Sequence, residues 1–209
     1  MGLSDSGQGF RLLEAAARCH PDACRLQERW ADAPQFIVLQ IGMGDGLTLL
    51  ATVQRYAQST RAPRHLDLVV LDPQPPDRVS LAATFERLGL AEQPAARALC
   101  DRWPQRSPGL HRIVFDGCAG LPPGRRVRLT LAVGPMTAML ARLQMPVDAF
   151  FVDTAVRGSS SAGRPEIYAQ LARLAVPGAV IALATPFAHD REALAASGFQ
   201  ADPIAPGPD

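Results

Sequence analysis

The sequence predicts an α/β protein built on a doubly wound, mostly parallel sheet. Short apolar runs of strand length alternate along the chain with segments whose apolar residues recur at helical spacing, as expected for strands joined by helical crossovers. One run, Phe36–Ile41, leads directly into the glycine-rich segment Gly42–Gly46, which is typical of the strand–turn–helix start of a nucleotide-binding unit. A second run, Leu66–Leu71, ends in Asp72, and sheets of this kind hold ligands at the strand ends.

The alternating part of the chain contains six candidate strands and six candidate helices. The strand candidates are Phe36–Ile41, Leu66–Leu71, Ile113–Phe115, Val127–Val133, Ala149–Val152 and Ala179–Ala184. The helix candidates are Leu47–Tyr56, Ser80–Leu88, Ala95–Trp103, Met136–Leu143, Pro165–Leu174 and Asp190–Ala196. Because strands alternate with helices, we expect most strands to run parallel, with helices on both faces of the sheet.

Segment 104–134 interrupts this alternation. Two strand-like runs flank the glycine- and proline-rich stretch 116–124, which predicts a β-hairpin with a wide loop inserted between crossover units. Later in the chain, Val176–Gly178 predicts a turn between a helix and the last strand. The predicted organisation is a helical N-terminal extension over 1–33, the α/β domain over 34–200 and a loose, proline-rich tail over 201–209.

Composition limits the class of protein. The chain has 209 residues, of which 47% are hydrophobic, so one compact domain with a sizeable core can form. No apolar run approaches the roughly 20 residues of a membrane span. The first residues lack the basic start and apolar stretch of a signal peptide, so a cytoplasmic location is expected. The net charge of +1 does not by itself indicate a nucleic-acid binder.

The arginines and cysteines carry weaker signals. The chain contains no lysine, and arginines cluster around the hairpin segment; guanidinium groups suit phosphate contacts, although a solvated charged face is the alternative. The four cysteines form neither a C-x-x-C pair nor a His–Cys group with zinc-ligand spacing. Cys19-His20 followed by Cys24 is a poor metal candidate, so no metal site is predicted and reduced thiols are expected.

The glycine segment indicates which cofactor it could hold. A dinucleotide loop needs G-x-G-x-x-G, but here Leu47 stands where the third glycine is expected. The loop also carries Asp45, which would repel a pyrophosphate. A positively charged cofactor without phosphate, such as S-adenosylmethionine (SAM), suits this loop better, and Asp72 could accept both ribose hydroxyls of its nucleoside. The alternatives are a glycine turn that only connects a strand to a helix, and an Asp72 that only caps its loop.

Several further stretches resemble the methyltransferase domain of the MnmC-type tRNA-modifying enzymes. The most specific is W-P-x-x-x-P-G-x-H-R-x-x-F, present almost intact as Trp103-Pro104, Pro108-Gly109, His111-Arg112 and Phe115. Other matched stretches are 40–50, 72–75, 147–153, 164–168 and 171–179. The resemblance implies a Rossmann-like fold of the class I SAM-dependent methyltransferase type. It also implies methylation of the 5-aminomethyl group of a 2-thiouridine at the tRNA wobble position.

The resemblance also implies roles for individual residues. Asp153, at the end of a predicted buried strand, is the candidate that orients or deprotonates the amine, unless it only anchors a loop. Tyr168 is expected to stack on the flipped-out base or to be an ordinary core aromatic, and His111 and Arg112 to shape the hairpin or contact RNA. The implied cofactor-binding residues are Gln40, Gly42, Met43, Gly44, Asp45, Gly46, Asp72 and Gly134. In many bacteria this domain is fused to an FAD-dependent oxidoreductase, so the expected partners are tRNA and a separate oxidoreductase of that kind.

Departures from the family pattern leave a second hypothesis open. Gln40 replaces a Glu before the glycine loop, and Pro135 replaces an Asp that would accept from the adenine amino group, while 154–163 replaces a Gly-Phe-Ala-Pro segment. Losing the hydrogen bond to adenine would cost on the order of 1 kcal/mol or more. The alternatives are therefore a degenerate binding module without catalysis, and a methyltransferase redirected to another substrate. The early third glycine and Asp45 disfavour an NAD-dependent dehydrogenase.

Overall fold

The structure, a computed structural model, describes residues 16, 18–31, 33–153, 164–184 and 188–200. The strands are β1 Gln35–Ile41, β2 His65–Asp72, β3 Gly109–Asp116, β4 Arg126–Val133, β5 Val147–Val152 and β6 Ala175–Leu183. The helices are α1 Leu26–Arg29, α2 Leu47–Gln58, α3 Arg78–Arg87, α4 Pro94–Arg102, α5 Met136–Arg142, α6 Arg164–Leu174 and α7 Ala188–Ala196. A single π-helical turn, Arg18–Asp22, precedes them.

The strands form one six-stranded sheet in the order β3-β4-β2-β1-β5-β6. Every neighbouring pair is parallel except β3 and β4, which confirms the predicted fold class. The chain passes from β1 to β2 on one side and returns to β5 on the other side of β1. This reversal of strand order opens a crevice at the carboxyl end of β1, the usual ligand position in doubly wound sheets.

The predicted hairpin is confirmed, but its second strand is a full member of the parallel sheet and not part of an insertion. β3 and β4 pair antiparallel from Gly109↔Val133 to Asp116↔Arg126. β4 also pairs in parallel with the whole of β2, from His65↔Arg126 to Asp72↔Val133. Only β3 is therefore added to the parallel sheet, as its antiparallel edge.

The two largest differences from the predicted boundaries lie at the starts of β3 and β6. β3 begins at Gly109, earlier than the predicted Ile113. Its first half pairs with β4 but only alternates half-buried and exposed positions, with Leu110 exposed. The turn predicted over Val176–Gly178 is wrong, since these residues lie inside β6. The register between β5 and β6 is irregular there, with Val147 opposite Ala175 but Ala149 opposite Val180, so the Pro-Gly pair forms a bulge rather than a turn.

Apolar side chains cover both faces of the sheet. On one face α1 to α4 pack on the strands, and Trp30 makes edge-to-face contacts with Phe36 and Tyr56. On the other face α5, α6 and α7 pack on a second cluster that contains Leu140, Phe150 and Leu171. Since helices occupy both faces, the polar chemistry lies at the strand ends. None of the helices in the described ranges is long and apolar enough to cross a membrane.

Candidate active site

The glycine loop between β1 and α2 requires its glycines. Gly42, Gly44 and Gly46 have φ angles of 78°, 56° and 84°, which side chains with a Cβ rarely adopt. At Gly46 a Cβ would also lie 2.9 Å from the Cδ1 of Leu81 and 3.2 Å from the Cε of Met43. The loop is held to the neighbouring strand by the Gly42 N–H, which donates to the Leu71 carbonyl at 2.8 Å. The glycines therefore give the loop its shape and let it pack closely on α3.

Asp45 acts as a local cap of α2. Its Oδ1 accepts from the Leu47 N–H at 3.0 Å, which satisfies one of the free N–H groups at the start of that helix. The helix thus already has a carboxylate at its N-terminus, the place where a phosphate would bind. This placement agrees with a cofactor that lacks phosphate. Direct contact between Asp45 and a cofactor remains a prediction.

Asp72 joins the loops that follow β1 and β2. It is 9% exposed, its Oδ2 accepts from the Met43 N–H at 2.8 Å, and its Oδ1 accepts from the Gln74 N–H at 2.7 Å. Asp72 is therefore a loop anchor, one of the two roles that the sequence left open. Each carboxylate oxygen has a second lone pair, so the same side chain can still accept from ribose hydroxyls.

Gln40 has a defined partner in the site. Its side chain is 5% exposed, and its Nε2 donates to the Gly42 carbonyl at 2.8 Å. An ionised Glu, the residue expected from the family pattern, could only accept hydrogen bonds and would face that carbonyl without a donor. The substitution is thus accommodated by the loop. Whether Gln40 also contacts a cofactor remains a prediction.

Asp153 lies beside the glycine loop, on the side opposite Asp72. Its N–H donates to the Ile41 carbonyl at 2.9 Å, so the residue continues β5 alongside the last residue of β1. A Cβ placed on Gly44 would lie 3.3 Å from the Asp153 Oδ2. Because Gly44 has no side chain, the carboxylate can approach the loop closely. The structure thus brings the candidate catalytic residue to the same crevice as the candidate cofactor residues.

Gly134 lies at the same edge of the sheet but farther from the crevice centre. It follows β4, which borders β2, and a Cβ there would lie 3.3 Å from the Met139 Sδ of α5. Pro135 precedes α5 and is exposed. The substituted segment 154–163 lies outside the described residues.

Trp103 is a residue whose role the sequence did not reveal. It belongs to the most specific motif, and the structure buries it with its Nε1 donating to the Pro76 carbonyl at 2.9 Å. Pro76 lies on the loop that follows Asp72. Trp103 therefore holds the loop that carries one side of the crevice. The Trp-Pro pair was visible in the sequence, but only the fold shows which carbonyl the Trp103 side chain binds.

The three candidate substrate residues lie apart from one another. The His111 Nε2 is 2.7 Å from the Ser107 carbonyl oxygen, which favours its structural role in shaping the hairpin segment. Arg112 is exposed on the outer face of β3. Tyr168 is 1% exposed in the apolar cluster under α6, and its hydroxyl donates to the Asp190 Oδ1 at 2.8 Å. This burial favours the core-aromatic alternative for Tyr168 over stacking on a base.

His20 is the functional candidate that the sequence passed over. It is 5% exposed, its ring lies 5.3 Å from that of Phe151 in β5, and its Nδ1 is 3.3 Å from the Thr48 Oγ1 in α2. Burial lowers the pKa of His20, while the nearby charge of Asp153 and the Val152 carbonyl act in the opposite direction. The imidazole is therefore neutral at pH 7. Its signal in the sequence was a Cys-His pair, which was weighed only as a metal ligand.

The sequence is similar to known tRNA-modification proteins, although no family model matches it. It is 36% identical over 182 residues to the tRNA 5-methylaminomethyl-2-thiouridine biosynthesis bifunctional protein MnmC of Cupriavidus metallidurans, covering 84% of this chain and 25% of that protein. The protein of the same description from Cupriavidus necator is 38% identical over 177 residues, covering 84% of this chain and 26% of the relative. The chain thus spans about a quarter of the length of these relatives.

A solved structure shows a similar fold. The MnmC2 protein from Aquifex aeolicus superimposes with a TM-score of 0.56 at 14% identity, over 86% of this chain and 52% of that chain. At this identity the likeness supports the α/β architecture alone.

Proposed function

We infer that this chain belongs to the MnmC family, and from that premise we propose that it is a SAM-dependent methyltransferase acting on tRNA. The proposed acceptor is the 5-aminomethyl group of a 2-thiouridine at the wobble position, in agreement with the product named in the relatives' description. The observation that carries the proposal is the crevice itself. Asp72 and Asp153 flank a phosphate-disfavouring glycine loop at the reversal of strand order.

The residues present fit SAM as the cofactor. The bare Gly44 leaves room next to Asp153, and Asp72 retains lone pairs for two ribose hydroxyls. No phosphate has to be accommodated next to Asp45. When bound, SAM supplies a methyl group on a sulfonium, whose carbon–sulfur bond breaks as the acceptor nitrogen forms its new bond to the methyl carbon.

The chain's own contribution to the reaction is positioning and proton removal. In this proposal Asp153 accepts a hydrogen bond from the amine and fixes its lone pair in line with the methyl group. Methylation leaves a secondary ammonium, whose excess proton passes to the Asp153 carboxylate and from there to water. Since the carboxylate is part-exposed, it can return the proton without a further relay.

The proposal extends to partners and location. A single modified uridine recognised within tRNA implies tRNA as the macromolecular partner and the cytoplasm as the location. In the family pattern an FAD-dependent oxidoreductase prepares the free amine, so a separate enzyme of that kind is the proposed supplier of the substrate.

One departure favours a second candidate, a fold-retaining binding module without catalysis. Pro135 has neither a donor nor a side-chain acceptor for the adenine amino group, and it stands at the edge of the crevice. If weak adenine recognition prevents cofactor binding, the fold would serve a partner protein instead. Cofactor affinity separates the two candidates directly.

The first test is calorimetric titration of the purified protein with SAM and with S-adenosylhomocysteine. We expect micromolar binding, followed by transfer of a labelled methyl group to bulk tRNA that carries unmethylated 5-aminomethyl groups. Asp153→Asn should abolish transfer while binding SAM. Asp148→Asn is the matched control, because Asp148 lies at the opposite end of β5 and its Oδ2 only accepts from the Ile37 N–H at 2.8 Å. Absence of binding at millimolar SAM would reject the methyltransferase and favour the binding module.

A further inference from the structure

A buried histidine lies near the proposed catalytic carboxylate. His20 comes from the π-helical turn that precedes the α/β domain, and its ring is wedged between Phe151 of β5 and Thr48 of α2. β5 leads directly into Asp153, and α2 is the helix that follows the glycine loop. His20 therefore contacts both of the elements that border the site, although it is remote from them in sequence.

The two ring nitrogens of His20 are in different situations. Nδ1 is 3.3 Å from the Thr48 hydroxyl. Nε2 is buried and has no partner of good hydrogen-bond geometry among the described residues. A buried polar atom without a partner is uncommon in folded proteins and calls for an explanation. The polar groups that act on the ring are the Asp153 carboxylate and the Val152 carbonyl, and both are acceptors.

The protonation state follows from these neighbours. Two acceptors favour a proton on a ring nitrogen that faces them, and a hydroxyl can donate to the other nitrogen. A neutral imidazole with hydrogen on Nε2 and a bare Nδ1 satisfies Thr48 and directs one N–H toward the carboxyl end of β5. Burial favours the uncharged ring, so its N–H can orient the carboxylate without placing a positive charge beside it.

We propose that His20 is a positioning residue for Asp153: its Nε2–H donates to the carboxylate during the reaction and holds it in the orientation that receives the amine. The bare Gly44, across from the Asp153 Oδ2, leaves the carboxylate room to reach that orientation. This role rests on the proposed function, but the proposed hydrogen bond between the two side chains can be tested without measuring any activity.

The test is a double-mutant cycle between His20→Phe and Asp153→Asn, read in two ways. Phe keeps a ring that can pack on Phe151 and removes both nitrogens, so a purely structural ring would be replaced without loss. In urea unfolding we compare the wild type, the two single variants and the double variant. We expect the effect of the double variant on the unfolding equilibrium constant to differ from the product of the two single effects by about threefold or more. In methyl transfer we expect His20→Phe to lower kcat by about tenfold with the SAM affinity unchanged.

Two more variants make the result specific. His20→Gln places an amide N–H near the position of Nε2, and it should recover most of the lost kcat. His65→Phe is the matched control, because His65 also has a buried ring nitrogen without a partner among the described residues but lies at the opposite end of β2 from Asp72. It should show multiplicative unfolding constants with Asp153→Asn.

The outcomes separate this inference from the proposed function. Multiplicative unfolding constants for His20 and Asp153, as in the His65 control, would overturn the positioning role, as would full kcat in His20→Phe. Coupled unfolding constants in a protein that transfers no methyl group would reject the proposed function and leave the contact between His20 and Asp153 standing. If His20→Phe does not fold, the cycle is measured with His20→Gln against His20→Ala.

Discussion

Replacing Gly46 with alanine tests how tightly the glycine loop packs on the domain. Two costs add at this position. The φ of 84° is a left-handed conformation, which costs a residue with a Cβ about 1–2 kcal/mol. The new Cβ would also lie 2.9 Å from the Leu81 Cδ1 and 3.2 Å from the Met43 Cε, and overpacking of this kind costs about 1–3 kcal/mol. Leu81 is 1% exposed and has little room to move.

The expected loss of unfolding free energy for Gly46→Ala is therefore about 2–5 kcal/mol. In a chain of this size that lowers the melting temperature by roughly 4–20 °C. Gly124→Ala is the matched control, because Gly124 has a similar φ of 79° but nothing within 4 Å of an added Cβ. It should lose only the conformational part, about 1–2 kcal/mol.

Urea unfolding followed by far-UV circular dichroism measures both variants. The difference between them isolates the packing cost of the loop against α3. Equal destabilisation of Gly46→Ala and Gly124→Ala would refute the close approach of the loop to Leu81 and Met43. Calorimetry with SAM on the folded fraction then shows whether the loop shape also limits cofactor binding.

Three further predictions follow from the site. Because burial lowers the pKa of His20 in the folded state, the unfolded state takes up the proton first, and stability should fall below about pH 6.5 by up to about 1.4 kcal/mol per pH unit. His20→Gln should flatten this part of a pH series of urea midpoints. Gln40→Glu replaces the donor to the Gly42 carbonyl with an acceptor, so it should cost about 1–3 kcal/mol at pH 7. Protonating the new carboxyl should recover part of that loss at pH 5, and a loss independent of pH would contradict the contact. Asp72→Asn removes one of two acceptors of loop N–H groups and should weaken SAM binding by about tenfold or more, whereas the exposed Asp45→Asn should change the SAM affinity less in the same titration.

Much of the fold could be predicted from the sequence because the pattern is local. The apolar run before Gly42 and the run before Asp72 are buried on both faces of the sheet, so they read as strands without knowledge of their neighbours. The edge strand β3 was predicted too short because the polar residues His111 and Arg112 interrupt the apolar pattern. The Pro-Gly pair near Gly178 was predicted as a turn, since local sequence does not show that a parallel neighbour accommodates it as a bulge.

The candidate site was predictable where residues follow strands and not where they meet from distant segments. Gly44, Asp72 and Asp153 each lie at or just after the end of a strand, and parallel pairing of β2, β1 and β5 necessarily brings the ends of these strands together. The donor from Trp103 to Pro76 and the burial of Tyr168 against Asp190 depend on how helices pack on the sheet. No spacing in the sequence encodes those contacts.

The sequence by itself determined the strand–turn–helix unit, the end-of-strand carboxylates and the glycines that the loop needs, because backbone conformation and burial periodicity are properties of neighbouring residues. Only the tertiary structure decided that Asp72 holds the glycine loop through the Met43 N–H and that His20 lies near Asp153. The physical reason is that the role and protonation state of a buried polar atom depend on the hydrogen-bond partner that packing brings next to it. That partner is set by the fold as a whole and not by the adjacent residues.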